Sequence, residues 1–196
     1  AYCEHGGDAE YPAAEEAGLA RSEVCLRVDV KAADVAVEIR PAQSGDEAAL
    51  AALDALVNPS PWTIAQFAGA CRPPAEVGAE HALVAAGNGG PCGFIVFSRV
   101  LEEACIHNIA VHPARQGGGL GSLLLDTVLR QEAASGACVC YLEVRSSNSA
   151  ARGLYRSLGF GQDGVRRNYY RTATGREDAL LMSRRLTQGN SRNERA

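Results

Sequence analysis

Residues 108–121 read NIAVHPARQGGGLG, and the parsing of this stretch decides the rest of the chain. An apolar run of Ile109, Ala110 and Val111 meets a His-Pro break, and four of the five residues 117–121 are glycine. Behind them Leu120, Leu123, Leu124, Val128 and Leu129 recur at helical spacing, so the glycines open a helix. Glycine is a weak helix former, so propensity does not explain its presence there. The first N–H groups of a helix have no partner within it, and the helix dipole favours an anion at that end. Missing side chains let a phosphate come close to those groups. Gly117, Gly118, Gly119, Leu120, Gly121 and Ser122, preceded by Gln116, therefore read as a pyrophosphate cradle. Two common cradles do not fit. The P-loop requires Gly-Lys-Ser/Thr, and the GxGxxG pattern finds Ser122 or Leu124 at its third glycine. Taken alone, the run could equally be a surface turn.

Working outward, VEIRPA (37–42) is a strand closed by Pro41, and Asp46 is placed to cap the helix EAALAALDALV. Thr63 is placed to cap a second, shorter helix through Phe67. HALVAAG, PCGFIVFSRVL and ACIHNIAV are three successive strands with turns at NGG and EE. After the glycine-led helix, Gly136 supplies a left-handed stop, and CVCYLEVR is a nearly apolar and hence central strand. SSNSAARGLYRSLGF is a helix capped by Asn148 and closed by Gly159, and VRRNYY and DALLMSRRL are the last strands. The order β-α-α-β-β-β-α-β-α-β-β predicts an α/β (α+β) fold, a mixed sheet of about seven strands with helices on both faces. Residues 36–186 form one domain. Residues 1–35 are an extension, partly disordered, and 187–196 a disordered tail.

The composition is that of a soluble globular protein, with 46% hydrophobic and 21% charged residues. No apolar run approaches the roughly 20 residues that span a bilayer, which argues against a membrane partner. The N-terminus lacks the pattern of a secretory signal. Seven cysteines show no CxxC spacing and mostly lie in apolar runs, as expected of reduced thiols in a cytoplasmic protein without a metal site. The net charge of -4 argues against direct nucleic-acid binding. Residues 1–143 carry 8 basic and 19 acidic side chains, net -11, whereas 144–196 carry 11 and 4, net +7. The basic half would suit an anionic ligand and the acidic half a cationic one, although an arginine-rich codon bias gives the same numbers.

Two further side chains stand out. Glu143 is the one acidic residue in CVCYLEVR, sharing a face with Val139, Tyr141 and Arg145. Burial in such a run would raise its pKa, which suits a general base; pairing with Arg145 is the equal alternative. Tyr155 lies on a stripe with Ala151, Leu154 and Leu158, so its ring faces the sheet and its hydroxyl needs a partner. A core tyrosine gives the same pattern. His107, beside Cys105, is a lesser rival as base.

Gln116-x-x-Gly119-x-Gly121, after a strand and opening a helix, resembles the acetyl-CoA signature of the GNAT superfamily of N-acetyltransferases. YLEVRSSNSAARGLYRSLGF with RRNYY and EDALLM resembles its ribosomal-protein alanine N-acetyltransferase branch, and so does PW at Pro61–Trp62 followed by Phe67. The similarity covers roughly 37–185. It implies a GNAT fold whose sheet splays beside the acetyl-CoA site. It implies that main-chain groups of Ile109, Ala110 and Val111 pair with pantetheine, and that residues 117–122 hold the pyrophosphate. Asn148 would contact the cofactor, Glu143 would be the general base and Tyr155, twelve residues later, the general acid. A backbone N–H near Val111 would polarise the acetyl carbonyl. The implied reaction is direct transfer, in a ternary complex, to the N-terminal alanine of a small-subunit ribosomal protein. A GNAT enzyme acting on lysines or small amines, and a non-catalytic acetyl-CoA-binding module, are the alternatives. The chain departs from the branch in its extra glycines and in His112, where Asp is usual.

Overall fold

The computed structural model describes residues 26–28, 37–72 and 78–187. The rest of the extension expected over 1–35, and 188–196 of the expected tail, lie outside the described residues.

The glycine stretch leaves the fifth strand of one sheet. In chain order the elements are β1 (Leu26–Val28), β2 (Val37–Pro41), α1 (Glu47–Val57), α2 (Ile64–Ala70), β3 (His81–Gly87), β4 (Gly90–Val100) and β5 (Glu103–Val111). A 3-10 turn (Pro113–Arg115), α3 (Leu120–Ala134), β6 (Val139–Arg145), α4 (Ser149–Ser157), β7 (Gly161–Thr172) and β8 (Gly175–Arg185) follow. The sheet order is β1-β2-β3-β4-β5-β6-β8-β7. Neighbours are antiparallel except β5 and β6, which run parallel because α3 carries the chain across between them. The seven expected strands are all present, and β1 adds an eighth, three-residue strand at the edge against β2.

Two apolar layers sandwich the sheet. On one face Ile95, Phe97, Ile106, Cys140, Leu142 and Met182 meet Leu124, Leu125 and Val128 of α3 and Tyr155 of α4. On the other, Val84, Phe94, Val96 and Ala110 meet Leu50 and Leu53 of α1 and Phe67 of α2. Gly93 admits α3 to the sheet: a Cβ there would sit 3.2 Å from Leu124 Cδ1 and 3.3 Å from the Ala110 carbonyl. Among the described residues no helix is long and apolar enough to cross a membrane.

The Thr63 cap forms in full, with Gln66 completing a capping box. Asp46 occupies the α1 N-cap position but makes no capping bond. Its carboxylate instead takes both ends of the Arg40 guanidinium at 2.7 and 2.9 Å, which holds its pKa below the ordinary carboxylate value. Leu125 is fully buried while Leu123 is only partly so, a small rotation of α3 relative to the face expected from spacing.

Candidate active site

The sheet opens in its middle. β5 pairs with β6 from Glu103–Val139 to Ile106–Leu142 and no further. Beyond that point β5 stays on β4 as far as Val111–Gly93, while β6 continues on β8 through Glu143–Leu181 and Arg145–Ala179. The parting begins where the β4–β5 register shifts, so that His107 has no opposite number. The His112 N–H donates to the Cys92 carbonyl at 2.9 Å. Alternation along the ladder then turns the main chain of Ala110 toward β4 and those of Ile109 and Val111 into the gap. The Gln116 side-chain amide donates to the Val111 carbonyl at 2.9 Å, which ties the glycine loop to this lip.

The loop itself depends on backbone conformation. Gly117 and Gly119 have φ of +77° and +84°, a region that disfavours any Cβ. Gly119 caps α3 without a side-chain bond, and the first turn of α3 holds no acidic residue. The N–H groups of Leu120, Gly121 and Ser122 are therefore left without helix partners beside the gap. Leu120 contributes only its backbone, since its side chain is buried in the core. Asn148 caps α4 by accepting from the Ala151 N–H at 3.0 Å, which engages its side-chain oxygen.

Glu143 is the first residue of β6 without a β5 partner. Its carboxylate is 23% exposed, so the deep burial expected from its apolar strand is absent. Its partner is also not Arg145. Oε1 lies 2.8 Å from Nη1 of Arg166 on β7, while Arg145 pairs with Glu177 at 2.7 Å and donates to Ser60 Oγ at 3.0 Å. The reason is the sheet order: β8 lies between β6 and β7, and Ala179 pairs with both Arg145 and Arg166, so Arg166 shares the face of Glu143 and reaches it across β8.

Tyr155 is buried on the α3–α4 side, its ring 5.9 Å from that of Phe160. Burial, with smaller contributions from Tyr170 and Cys140, pushes its hydroxyl far up, so it is a proton donor throughout the neutral range. Burial, then the Glu143 charge, push the Tyr170 hydroxyl up to about 12. His107 is held by Ser98, with Nε2 2.7 Å from Oγ, and burial pushes it down to about 4, so it is a neutral imidazole at pH 7.

Several residues at this site carried no sequence signal that was used. Asp54 of α1 is fully buried and accepts from the Trp62 N–H at 2.7 Å and the Asn108 amide at 3.0 Å. It thereby fastens the α1–α2 loop to the start of the splayed part of β5. Its position beside Leu50, Leu53 and Val57 on the inward face of α1 was the available clue. Arg145, Glu177, Ser60 and Tyr170 depend on contacts distant in sequence. Among the described residues no group of three or more His, Cys, Asp and Glu side chains is placed to hold a metal.

The gap thus brings together strand-edge main chain of β5, the glycine-opened start of α3 and the Glu143 carboxylate, with Tyr155 buried under α4. Residues 49–160 match the profile of the acetyltransferase (GNAT) family. The ribosomal protein bS18-alanine N-acetyltransferase of Escherichia coli (strain K12) is 47% identical over 96 residues, 49% of this chain and 65% of the relative's length. N-alpha-acetyltransferase RimI of Mycobacterium tuberculosis is 39% identical over 132 residues, 65% of this chain and 78% of the relative. The crystal structure of the ribosomal-protein-S18-alanine N-acetyltransferase from Escherichia coli superposes with a TM-score of 0.71 at 33% identity. That superposition covers 81% of this chain and 99% of the other.

Proposed function

Because this chain belongs to the acetyltransferase (GNAT) family, we propose that it moves the acetyl group of acetyl-CoA to a protein α-amino group, that of an alanine-starting small-subunit ribosomal protein. The observation that carries this reading is the parting of β5 from β6 directly before Glu143. It leaves strand-edge main chain at Ile109 and Val111 in the same gap as the unpartnered N–H groups at 120–122.

The donor arm fits this gap because its amides can replace the missing strand pairing and its diphosphate the missing helix cap. Acetyl-CoA supplies an acyl group already activated as a thioester. The Val111 N–H, facing the gap, stands where it can donate to the acyl oxygen as negative charge develops. Glu143 accepts the proton that the attacking nitrogen sheds. Once bonded to the acyl carbon, that nitrogen is far more acidic than a free ammonium, which eases the transfer of its proton. Tyr155 keeps its proton at neutral pH and hands it to the departing thiolate. Acceptor access lies between the α1–α2 loop and the β7–β8 hairpin, which Arg145 ties together through Ser60 and Glu177.

Gly119→Ala tests the cradle. Left-handed backbone costs an L-residue about 1–2 kcal/mol, and a Cβ at Gly119 meets nothing within 4 Å, so strain rather than collision is the effect. Acetyl-CoA affinity should fall about tenfold by calorimetry. Unchanged affinity would remove the loop from the site. The acceptor is tested with a peptide array varying the first three residues, read by mass spectrometry. Acetyl groups should appear on the α-nitrogen of Ala-starting peptides, and labelling confined to lysine side chains would overturn the reading.

A further inference from the structure

The base proposed above has a cationic partner. Arg166 Nη1 is 2.8 Å from Glu143 Oε1, and the guanidinium lies 5.4 Å from the centre of the Tyr169 ring. Register puts it there: Ala179 of β8 pairs with Arg145 on one side and Arg166 on the other, so Arg166 shares the sheet face of Glu143. The β7–β8 register shifts between Arg166 and Tyr170, and Asn168, with φ +55°, sits in the bulge. Its N–H donates to Asp178 Oδ1 at 2.8 Å and its carbonyl accepts from Arg176 at 3.1 Å. The bulge follows Arg166 directly, and beyond it Tyr169 lies against the Arg166 guanidinium and Tyr170 against that of Arg145.

The other charges around Glu143 are already matched. Arg145, next but one on β6, is spent on Glu177 of β8 and stacks 4.3 Å from the Tyr170 ring. His107 on β5 is neutral at pH 7, and Tyr169 and Tyr170 both have hydroxyls pushed up by burial and by Glu143. Arg166 therefore leaves the carboxylate close to charge-neutral. An incoming ammonium would have to displace a guanidinium or sit beside it, whereas an uncharged amine need do neither.

Resting on the acetyl transfer proposed above, we propose that Arg166 is a specificity-determining residue, which by matching Glu143 admits the acceptor amine in its uncharged form and so favours α-amines over lysine side chains. The selection is large because the two amines differ in basicity. With ordinary values of about 8 and 10.4, the uncharged fractions at pH 7 differ by roughly 250-fold. No separate pocket for the α-amine is needed to obtain that preference.

The test compares kcat/KM for an Ala-starting peptide without lysine and for an N-terminally blocked peptide with one lysine, using wild type, Arg166→Gln and Arg166→Lys. Arg166 is 40% exposed on the outermost strand, so neither change empties the core. Wild type should prefer the α-amine by about 100-fold or more, Arg166→Gln should reduce that ratio at least tenfold, and Arg166→Lys should restore most of it. For the Ala-starting peptide, wild-type kcat/KM should fall as pH drops below about 8, where the amine gains its proton. In Arg166→Gln the unmatched carboxylate binds the ammonium, so this limb should move at least one unit lower. An unchanged ratio and limb in Arg166→Gln, or a Lys variant that behaves like Gln, would overturn the inference. A wild-type protein that acetylates no α-amine would overturn the proposed function instead.

Discussion

Replacing Glu143 by Gln should lower kcat/KM for an α-amine peptide by about 10²- to 10⁴-fold, the range lost with a positioned general base. The argument rests on place. Glu143 is the first β6 residue past the last β5 partner, so its side chain borders the gap in which the donor and acceptor would meet. Gln keeps the volume and one oxygen acceptor, and loses the negative charge and the capacity to take a proton. The broken pair with Arg166 cannot account for such a loss. Arg166 is 40% exposed, and an ion pair of that kind contributes at most about 1 kcal/mol to stability. Acetyl-CoA affinity should therefore stay within about twofold while single-turnover acetylation slows. Equal losses in binding and turnover would make Glu143 a structural residue.

Phe67→Ala should be the most damaging change to the fold outside the site, at about 3–5 kcal/mol. Phe67 is fully buried, with ring centres 5.1 Å from Phe94 in an edge contact and 5.5 Å from Trp62. It is the side chain by which seven-residue α2 holds the second core face. A helix that short has little stability of its own. Typical domains have a margin of about 5–15 kcal/mol, so the loss removes a large share of it. For a chain of this size the midpoint should fall by roughly 10 °C in calorimetry. A fall below about 2 °C would mean that α2 is not held by this residue.

Much of this architecture was legible in the sequence, for a physical reason. The strand and helix periods, the Thr63 cap, the Gly136 and Gly159 stops and the glycine-led helix are all local features, encoded within a few residues. Asp46 failed as a cap because a local preference met a stronger partner, Arg40, from the preceding strand. At the site, the sequence singled out Glu143 and Tyr155, but it did not give their surroundings. The burial assumed for Glu143 required knowing that the sheet opens beside it, and its partner required knowing that β7 lies two strands away with Arg166 in register on the same face. Asp54 belongs to the same class, since its value comes from Asn108, fifty-four residues on.

The opening between β5 and β6 also bears on how this chain tolerates change. A ligand held through Ile109 and Val111 would be gripped by peptide groups that every residue except proline possesses. Side-chain drift along that lip, such as Ile109→Val or Val111→Ile, keeps the grip intact so long as the strand persists. On the proposed reading the points of fragility are few and lie elsewhere: two glycines whose backbone no other residue accepts easily, and the carboxylate and buried hydroxyl proposed for proton transfer. Variation can thus spread widely over the lips of the cleft while the donor stays the same, and the acceptor side is left free to diversify.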